Sequence, residues 1–376
     1  MSTPIDDLLR GAAADARVIG LAGGLPSEAQ FPKRELARAF LRALRRAGTP
    51  ALQYGWAEGS PGLRGFVADR LRARGAGTQA DDVIITSGAQ QAIAIALELT
   101  VRAGDKVGVG AETYPAALEL MRARRLVPVP DWDGPPVRYA MPVVHNPRGD
   151  ALADAARAEL LAARGAIIED DAYAELRFDG PPARPLLADD PDRVLHVGTL
   201  SKTLSPGLRI GWLVVPARLR ERALLLKQGT DLQASSLGQA IAEAYLLGDD
   251  DVPAVDWDAR LVRLRRFYRR RATLLGRSLR AALPDWHFTV PAGGFAIWGQ
   301  APAGAPARDE LTFLRQAIEA GVAFDPGSTF RPDRGPAPLA VRLCFSAAPT
   351  ASFDEGARRL GAAWRRAASQ DLALDA

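Results

Sequence analysis

Lysine is nearly missing from this chain. Of the 48 lysines and arginines in 376 residues, only four are lysines: Lys33, Lys106, Lys202 and Lys227. Arginine supplies positive charge wherever charge alone is wanted. Arginine does not lose its proton in a protein, whereas a lysine can when it is desolvated or set beside other positive charge. Cysteine is scarce too. Cys344 stands alone, which excludes a disulfide framework and a cysteine-rich metal site. Three scattered histidines, His145, His196 and His287, lack the spacing of a zinc site, so no metal is expected. No apolar run is long enough to span a membrane, and the N-terminal segment with Asp6 and Asp7 has no secretory apolar core. The expectation is a soluble, cytoplasmic protein with no membrane partner.

What is present is an ordinary globular composition, 48% hydrophobic and 24% charged, with a net charge of only +4. The length leaves room for a large core and two domains. The densest basic run, 260–271, carries Leu261, Leu264, Phe267 and Tyr268 at helical spacing. It reads as an amphipathic helix with a solvated arginine face, and no nucleic-acid partner is expected.

Strands and helices alternate through the middle of the chain. Strands are expected at 82–86, 106–109, 142–144, 166–169, 193–197 and 210–215, and helices at 90–100, 118–125 and 152–164. Apolar strands separated by helices predict a largely parallel sheet covered on both faces. Beyond a long helix at 257–283 the pattern changes to short strands at 288–290, 295–298 and 339–345, closed by a helix at 353–367. That is an α+β unit packed on an α/β unit. Ala/Pro/Gly-rich loops are expected at 300–307 and 331–338.

Five short stretches carry chemistry. Lys202 follows the apolar run Val194-Leu195-His196-Val197, is flanked by Thr199 and Ser201, and precedes Pro206-Gly207 and Arg209. A neutral amine adds to an aldehyde; hydroxyls and a fixed guanidinium nearby suit an aldehyde that bears a phosphate. The other three lysines read as solvated charges. Thr86-Ser87-Gly88-Ala89-Gln90 is a strand-to-helix turn whose free N–H groups suit a phosphate. Glu169-Asp170-Asp171 ends a buried strand at the edge where parallel sheets bind ligands, with Tyr173 just beyond. A buried acid there needs a cation such as a protonated pyridine nitrogen, while Glu169 or Asp171 can equally begin a solvated loop. His145-Asn146-Pro147 is either a simple turn or an amide placed to bond a phenolate oxygen. Arg342 interrupts the apolar strand Val341 to Phe345, where it either pairs with an internal acid or grips a substrate carboxylate.

Taken together, these stretches resemble pyridoxal-phosphate enzymes of fold type I, in the class I/II aminotransferase family. The branch they look most like is the 2-aminoadipate and kynurenine aminotransferases, related to the C-terminal domains of MocR regulators. The likeness runs over nearly the whole chain, through Gly23-Gly24-Leu25-Pro26, Phe31-Pro32, Tyr54-Gly55, Gly62-Leu63-Arg64, Gly104-Asp105, Thr113-Tyr114-Pro115 and Gly293-Gly294-Phe295. It implies an α/β fold, with a large domain built on a mostly parallel seven-stranded sheet at 33–256 and a smaller α+β domain from 1–32 and 257–376. It implies pyridoxal 5′-phosphate as cofactor and a homodimer with shared active sites.

The resemblance also implies roles. Lys202 would hold the cofactor covalently and then move the proton at the substrate. Asp170 would pair with the ring nitrogen, Asn146 and Tyr173 with the phenolic oxygen, and Tyr114 would stack on the ring. Ala89, Gln90, Thr199, Ser201 and Arg209 would hold the phosphate, with Tyr54 supplied by the neighbouring subunit. Arg342, with Asn146 and Gly24, would bind the α-carboxylate. The implied reaction moves an amino group between an amino acid and a 2-oxo acid; the short stretch near residue 130 and the arginine-rich composition point to a specialised, secondary-metabolic pathway.

Three departures stand out: a short stretch at 128–146, Arg148 where the family has threonine, and His145 where glutamine is common. A cationic substrate side chain would meet Glu28 or Asp231, and an acidic one Arg148. Elimination, decarboxylation or oxidation at Cα would use the same residues. A ligand-sensing regulator is disfavoured, because the resemblance begins by Gly23.

Overall fold

The computed structural model describes residues 4–132, 134–249, 252–303, 310–333 and 337–374. In chain order its strands are β1 (Ile19–Leu21), β2 (Val83–Thr86), β3 (Lys106–Gly108), β4 (Val127–Val129), β5 (Val137–Ala140), β6 (Ala166–Asp170), β7 (Val194–Thr199), β8 (Gly211–Val214), β9 (His287–Phe288), β10 (Ala296–Gln300), β11 (Val322–Pro326) and β12 (Ala340–Cys344). Seven form one sheet in the order β2-β8-β7-β6-β5-β3-β4, and five form a second in the order β1-β11-β12-β10-β9.

The larger sheet is parallel except at β8, which runs against both β2 and β7. Every residue of β2, β5 and β7 is buried, because helices cover both faces. Successive side chains alternate between those faces. Ile84, Ile168 and Leu195 join Ile93, Leu97, Leu118 and Met121 in one core, while Ile85, Ile167 and Val194 join a second. That second core continues through Leu261, Leu264 and Tyr268 of the Trp257–Ala282 helix to Phe324 and Val341 of the smaller sheet and Phe345 just beyond it. β1 lies beside β11, so an N-terminal segment completes the C-terminal sheet.

This topology assembles the site. β2, β7, β6, β5 and β3 all end at one edge, placing Thr86, Thr199, Asp170 and Ala140 side by side. β8 runs the other way and therefore starts at the same edge, which brings in Arg209 just before Gly211.

The structure corrects several expectations. Residues 142–144 are not a strand; the strand is β5, and β4 lies before it. Val143 and Val144 pack instead in a small cluster with Ala174, where the chain has left the sheet. Lys227 is buried on the Arg220–Asp231 helix rather than solvated, because Asp231 neutralises it at 2.7 Å. Glu169 and Asp171 are buried rather than solvated, although Asp171 is the first residue beyond β6. The arginine face is not wholly solvated. Arg260 turns inward to the carbonyls of Thr203 and Gln30, and Arg271 to those of Phe345 and Ala348. The loops expected at 300–307 and 331–338 fall partly on 304–309 and 334–336, outside the described residues.

Candidate active site

A cleft of about 710 Å³, mouth included, opens at the common edge of the strands. Ten of the residues singled out from sequence line it: Ala89, Gln90, Tyr114, Asn146, Asp170, Tyr173, Thr199, Ser201, Lys202 and Arg209. A smaller adjoining recess is lined by Gly24, Asn146, Tyr173 and Arg342, so Asn146 and Tyr173 are common to both. Tyr54 lines neither; it is 76% exposed.

Lys202 follows β7 and is partly buried. Its Nζ lies 5.2 Å from the Tyr173 ring centroid and 5.8 Å from that of Phe295. The carbonyl of Thr203, next to it, is held at 3.0 Å by Arg260 Nε. At the floor, Asp170 ends β6. The Tyr139 hydroxyl donates to its Oδ2 at 2.5 Å and the Ala172 N–H to its Oδ1 at 3.1 Å. Burial raises the Asp170 pKa, and Tyr139 and the Ala172 amide only partly oppose that. Burial also pushes Tyr139 well above the ordinary phenol value. Tyr114 caps the Pro115–Ala123 helix, and its phenol is pushed up to about 12 by burial, with Tyr173 and Asp170 adding to the effect. Both phenols therefore stay neutral donors at physiological pH.

The wall beside the Ala89–Thr100 helix is built for an anion. No side chain caps that helix, so its first N–H groups point into the cleft's end. Gly88 has φ +87°, and a Cβ there would come 2.6 Å from Arg209 Nη2. Glycine thus lets the guanidinium lie across the turn, where it donates to Ser87 O at 3.0 Å. The Thr199 hydroxyl donates to Ile210 O at 2.8 Å and lies 2.9 Å from Ser201 Oγ.

Behind the turn is a network that the sequence did not disclose. Ser87 Oγ donates to Asp231 Oδ2 at 2.6 Å, and buried Lys227 donates to Asp231 Oδ1 at 2.7 Å. Burial lowers the Lys227 pKa; Asp231 is also lowered, because its bonds to Lys227 and Ser87 outweigh burial. Asp231 is thus engaged within the protein and lines neither recess. Arg148 is likewise held, by Glu112 and Asp150, both at 3.2 Å. Glu28 is exposed and lines neither recess. His145 is partly exposed, but its Nδ1 is enclosed, and burial with the Arg148 charge lowers its pKa to about 3, so it is neutral.

In the smaller recess Arg342 realises one of its two open alternatives. It pairs with an internal acid, Asp325, at 2.7 Å, while Nη1 donates to Asn146 Oδ1 at 2.8 Å. Asp325 and Tyr139 are site residues that sequence reading missed. Each lies on a strand recognised only through its long-range pairing.

The donor set fits pyridoxal 5′-phosphate. Neither donor to Asp170 brings a charge, whereas a protonated ring nitrogen would; the opposite end of the cleft has uncapped amides, two hydroxyls and a guanidinium. Comparison with known proteins agrees. Residues 141–360 match the family described as aminotransferase class I and II. The 2-aminoadipate transaminase of Thermus thermophilus is 34% identical over 92% of this chain and 90% of its own. Aromatic-amino-acid aminotransferase 1 of Thermococcus litoralis is 31% identical over 91% of this chain and 87% of its own. The solved kynurenine aminotransferase of Pyrococcus horikoshii, in complex with PMP, superposes with a TM-score of 0.87 at 30% identity, covering 97% of this chain and 95% of that one.

The fold is that of the fold type I pyridoxal-phosphate enzymes. Within that class, the chain belongs to the class I and II aminotransferases, and pyridoxal 5′-phosphate is its cofactor.

Proposed function

We propose that this aminotransferase exchanges an α-amino group between an amino acid and a 2-oxo acid, with its roles divided along the cleft as follows. Bound pyridoxal 5′-phosphate supplies an electron sink that lets the substrate Cα give up a proton. The rest falls to the chain. Lys202 holds the cofactor and, once freed, carries the proton at Cα. Asp170 keeps the ring nitrogen protonated. Tyr173 and the NH2 group of Asn146 donate to the phenolic oxygen; Asn146 Oδ1 is already engaged by Arg342. Tyr114 covers the ring face. The amides of Ala89 and Gln90, with Thr199, Ser201 and Arg209, hold the phosphate. Arg342, beside Gly24 and Asn146, orients the substrate carboxylate through charge-assisted bonds that contribute about 1.5–3 kcal/mol.

The observation that carries this reading is a lysine amine 5.2 Å from the Tyr173 ring, in a cleft that also holds a buried Asp170. The domain division at 33 and 256 is part of the proposal and is supported by β1 joining β11. So is a cytoplasmic homodimer in which Tyr54 reaches the partner's phosphate. Its support is the exposure of Tyr54 (76%) and Trp56 (83%), side chains that a second copy would cover.

Borohydride reduction of the loaded enzyme, followed by peptide mapping, tests the assignment. Label is expected on Lys202 and absent in Lys202→Ala; label on Lys106 or Lys227 overturns it. Release of one 2-oxo acid matched by amination of another is the expected stoichiometry. Ammonia or peroxide instead would mean elimination or oxidation.

A further inference from the structure

Asp325 has no part in the roles assigned above, yet it sits against the residue that orients the substrate. It lies on β11 directly opposite Arg342 on β12, and the two are 7% and 8% exposed. Its Oδ2 accepts from Arg342 Nε at 2.9 Å and from Nη2 at 2.7 Å. The Gly23 N–H lies 3.0 Å from each carboxylate oxygen, so the same acid also pins the N-terminal turn. The guanidinium carbon sits 4.7 Å from the Phe330 ring centroid, which fixes its plane.

A guanidinium carries five N–H donors and can meet a carboxylate along its Nε/Nη2 edge or across its two terminal nitrogens. Here the first edge is filled by the protein's own carboxylate. Nη1 spends one donor on Asn146 Oδ1. What remains is one N–H on each terminal nitrogen. Gly24 borders that end, with φ +60°, and a Cβ there would lie 3.2 Å from Nη2. Gly24, Asn146 and Arg342 line the same recess, which adjoins the Lys202 cleft.

We propose that Asp325 is a positioning residue for substrate recognition: by occupying the Nε/Nη2 edge of Arg342, it fixes the guanidinium so that the α-carboxylate of both substrates docks across its terminal nitrogens. This rests on Arg342 being the carboxylate anchor. It gives the site two properties. The anchor is preorganised, because neither its rotamer nor its plane has to be set when substrate arrives. It is also charge-balanced, so a carboxylate is recognised by the direction of two N–H bonds rather than by an unpaired cation.

The test compares Asp325→Ala and Asp325→Asn with the parent enzyme, all loaded with cofactor. Asp325→Ala is expected to raise KM for the amino acid and for the 2-oxo acid by about tenfold each, the effect of one lost charge-assisted bond, with kcat little changed. Asp325→Asn keeps an acceptor for Nη2 and is expected to recover part of that loss. Single-turnover conversion of a primary alkylamine, which has no carboxylate to dock, is expected to proceed at the parental rate in both variants. A general weakening of the fold would slow the alkylamine as well, and that result overturns the proposal. So does an unchanged or lower KM in Asp325→Ala, which would mean that Asp325 only masks the Arg342 charge. If Asp325→Ala does not fold, the same KM and alkylamine comparison is made with Asp325→Asn. Failure of the parent enzyme to be labelled at Lys202 or to transfer amino groups would count against the assigned function, not against Asp325.

Discussion

Replacing Asp170 with asparagine should push stability and activity in opposite directions. Asparagine keeps the shape and still accepts from the Tyr139 hydroxyl, but it carries no charge. In the cofactor-free protein, burial raises the Asp170 pKa above its unfolded value. The folded state therefore holds the proton more tightly than the unfolded chain. Its contribution to stability is fully present below the ordinary carboxylate pKa and is lost as pH rises through the raised folded value. Asparagine has no such loss. Thermal melts of cofactor-free protein across a pH series should thus show the variant gaining on the parent as pH rises from acid to neutral. In the loaded enzyme the same substitution removes the charged partner of the ring nitrogen. A charge-assisted bond is worth about 1.5–3 kcal/mol, so kcat/KM should fall at least ~10-fold. Parallel pH–melting curves for the two cofactor-free proteins, or retained activity in the variant, would refute the reasoning.

Lys227→Met should loosen the phosphate end without touching it. Lys227 holds Asp231, Asp231 accepts from Ser87, and Ser87 O accepts from Arg209. Because Asp231 is partly exposed, the loss should stay near the lower end for a broken pair, about 1–2 kcal/mol, read as a lower melting point and faster cofactor loss on dialysis. Tyr54→Phe should weaken phosphate retention in the same dialysis assay. Mixed dimers of Tyr54→Phe with Lys202→Ala chains should carry one intact site and one site with both defects, so half the sites keep parental activity, whereas a tyrosine acting within its own chain would leave one defect in each; sedimentation and active-site titration together check this.

The parts of the fold legible in the sequence were those set by local pattern. β6 and β7 open on apolar residues, Ala166-Ile167-Ile168 and Val194-Leu195, and a run buried on both faces has few rivals of the same length. Lys202 stood out by contrast with an arginine-rich chain. The parts that failed were set at long range. Pro142-Val143-Val144 looked more strand-like than Val137-Arg138-Tyr139-Ala140, whose arginine breaks the apolar run. Pairing with β6 and β3 decides for the second, and that pairing delivers Tyr139 to Asp170. Lys227 sits in a polar stretch and reads as surface until Asp231, one helical turn on, is placed against Ser87 in the distant turn after β2. Asp325 is one acid in an apolar pentapeptide, with nothing local to tell it from an error of burial; only its register opposite Arg342 explains it.

Glu169 and Asp170 end β6 and Asp171 follows it, and the pleat sorts the three. Glu169 and Asp171 share one direction and Asp170 takes the other, as alternation along a strand requires. Glu169 accepts from the Leu186 and Leu187 amides and lies 3.0 Å from His196 Nδ1. Asp171 is met by Arg74 at 2.5 Å and lies 3.8 Å from His196 Nε2. Both outer acids are therefore compensated within the protein. Asp170 alone has a phenol and an amide, and neither carries charge. A buried carboxylate left in that condition is costly unless something cationic arrives. The two neighbours explain why the acid without a charged hydrogen-bond partner is the middle one. With Arg74 drawn to the opposite face by Asp171, its guanidinium does not compete with a ring nitrogen for Asp170.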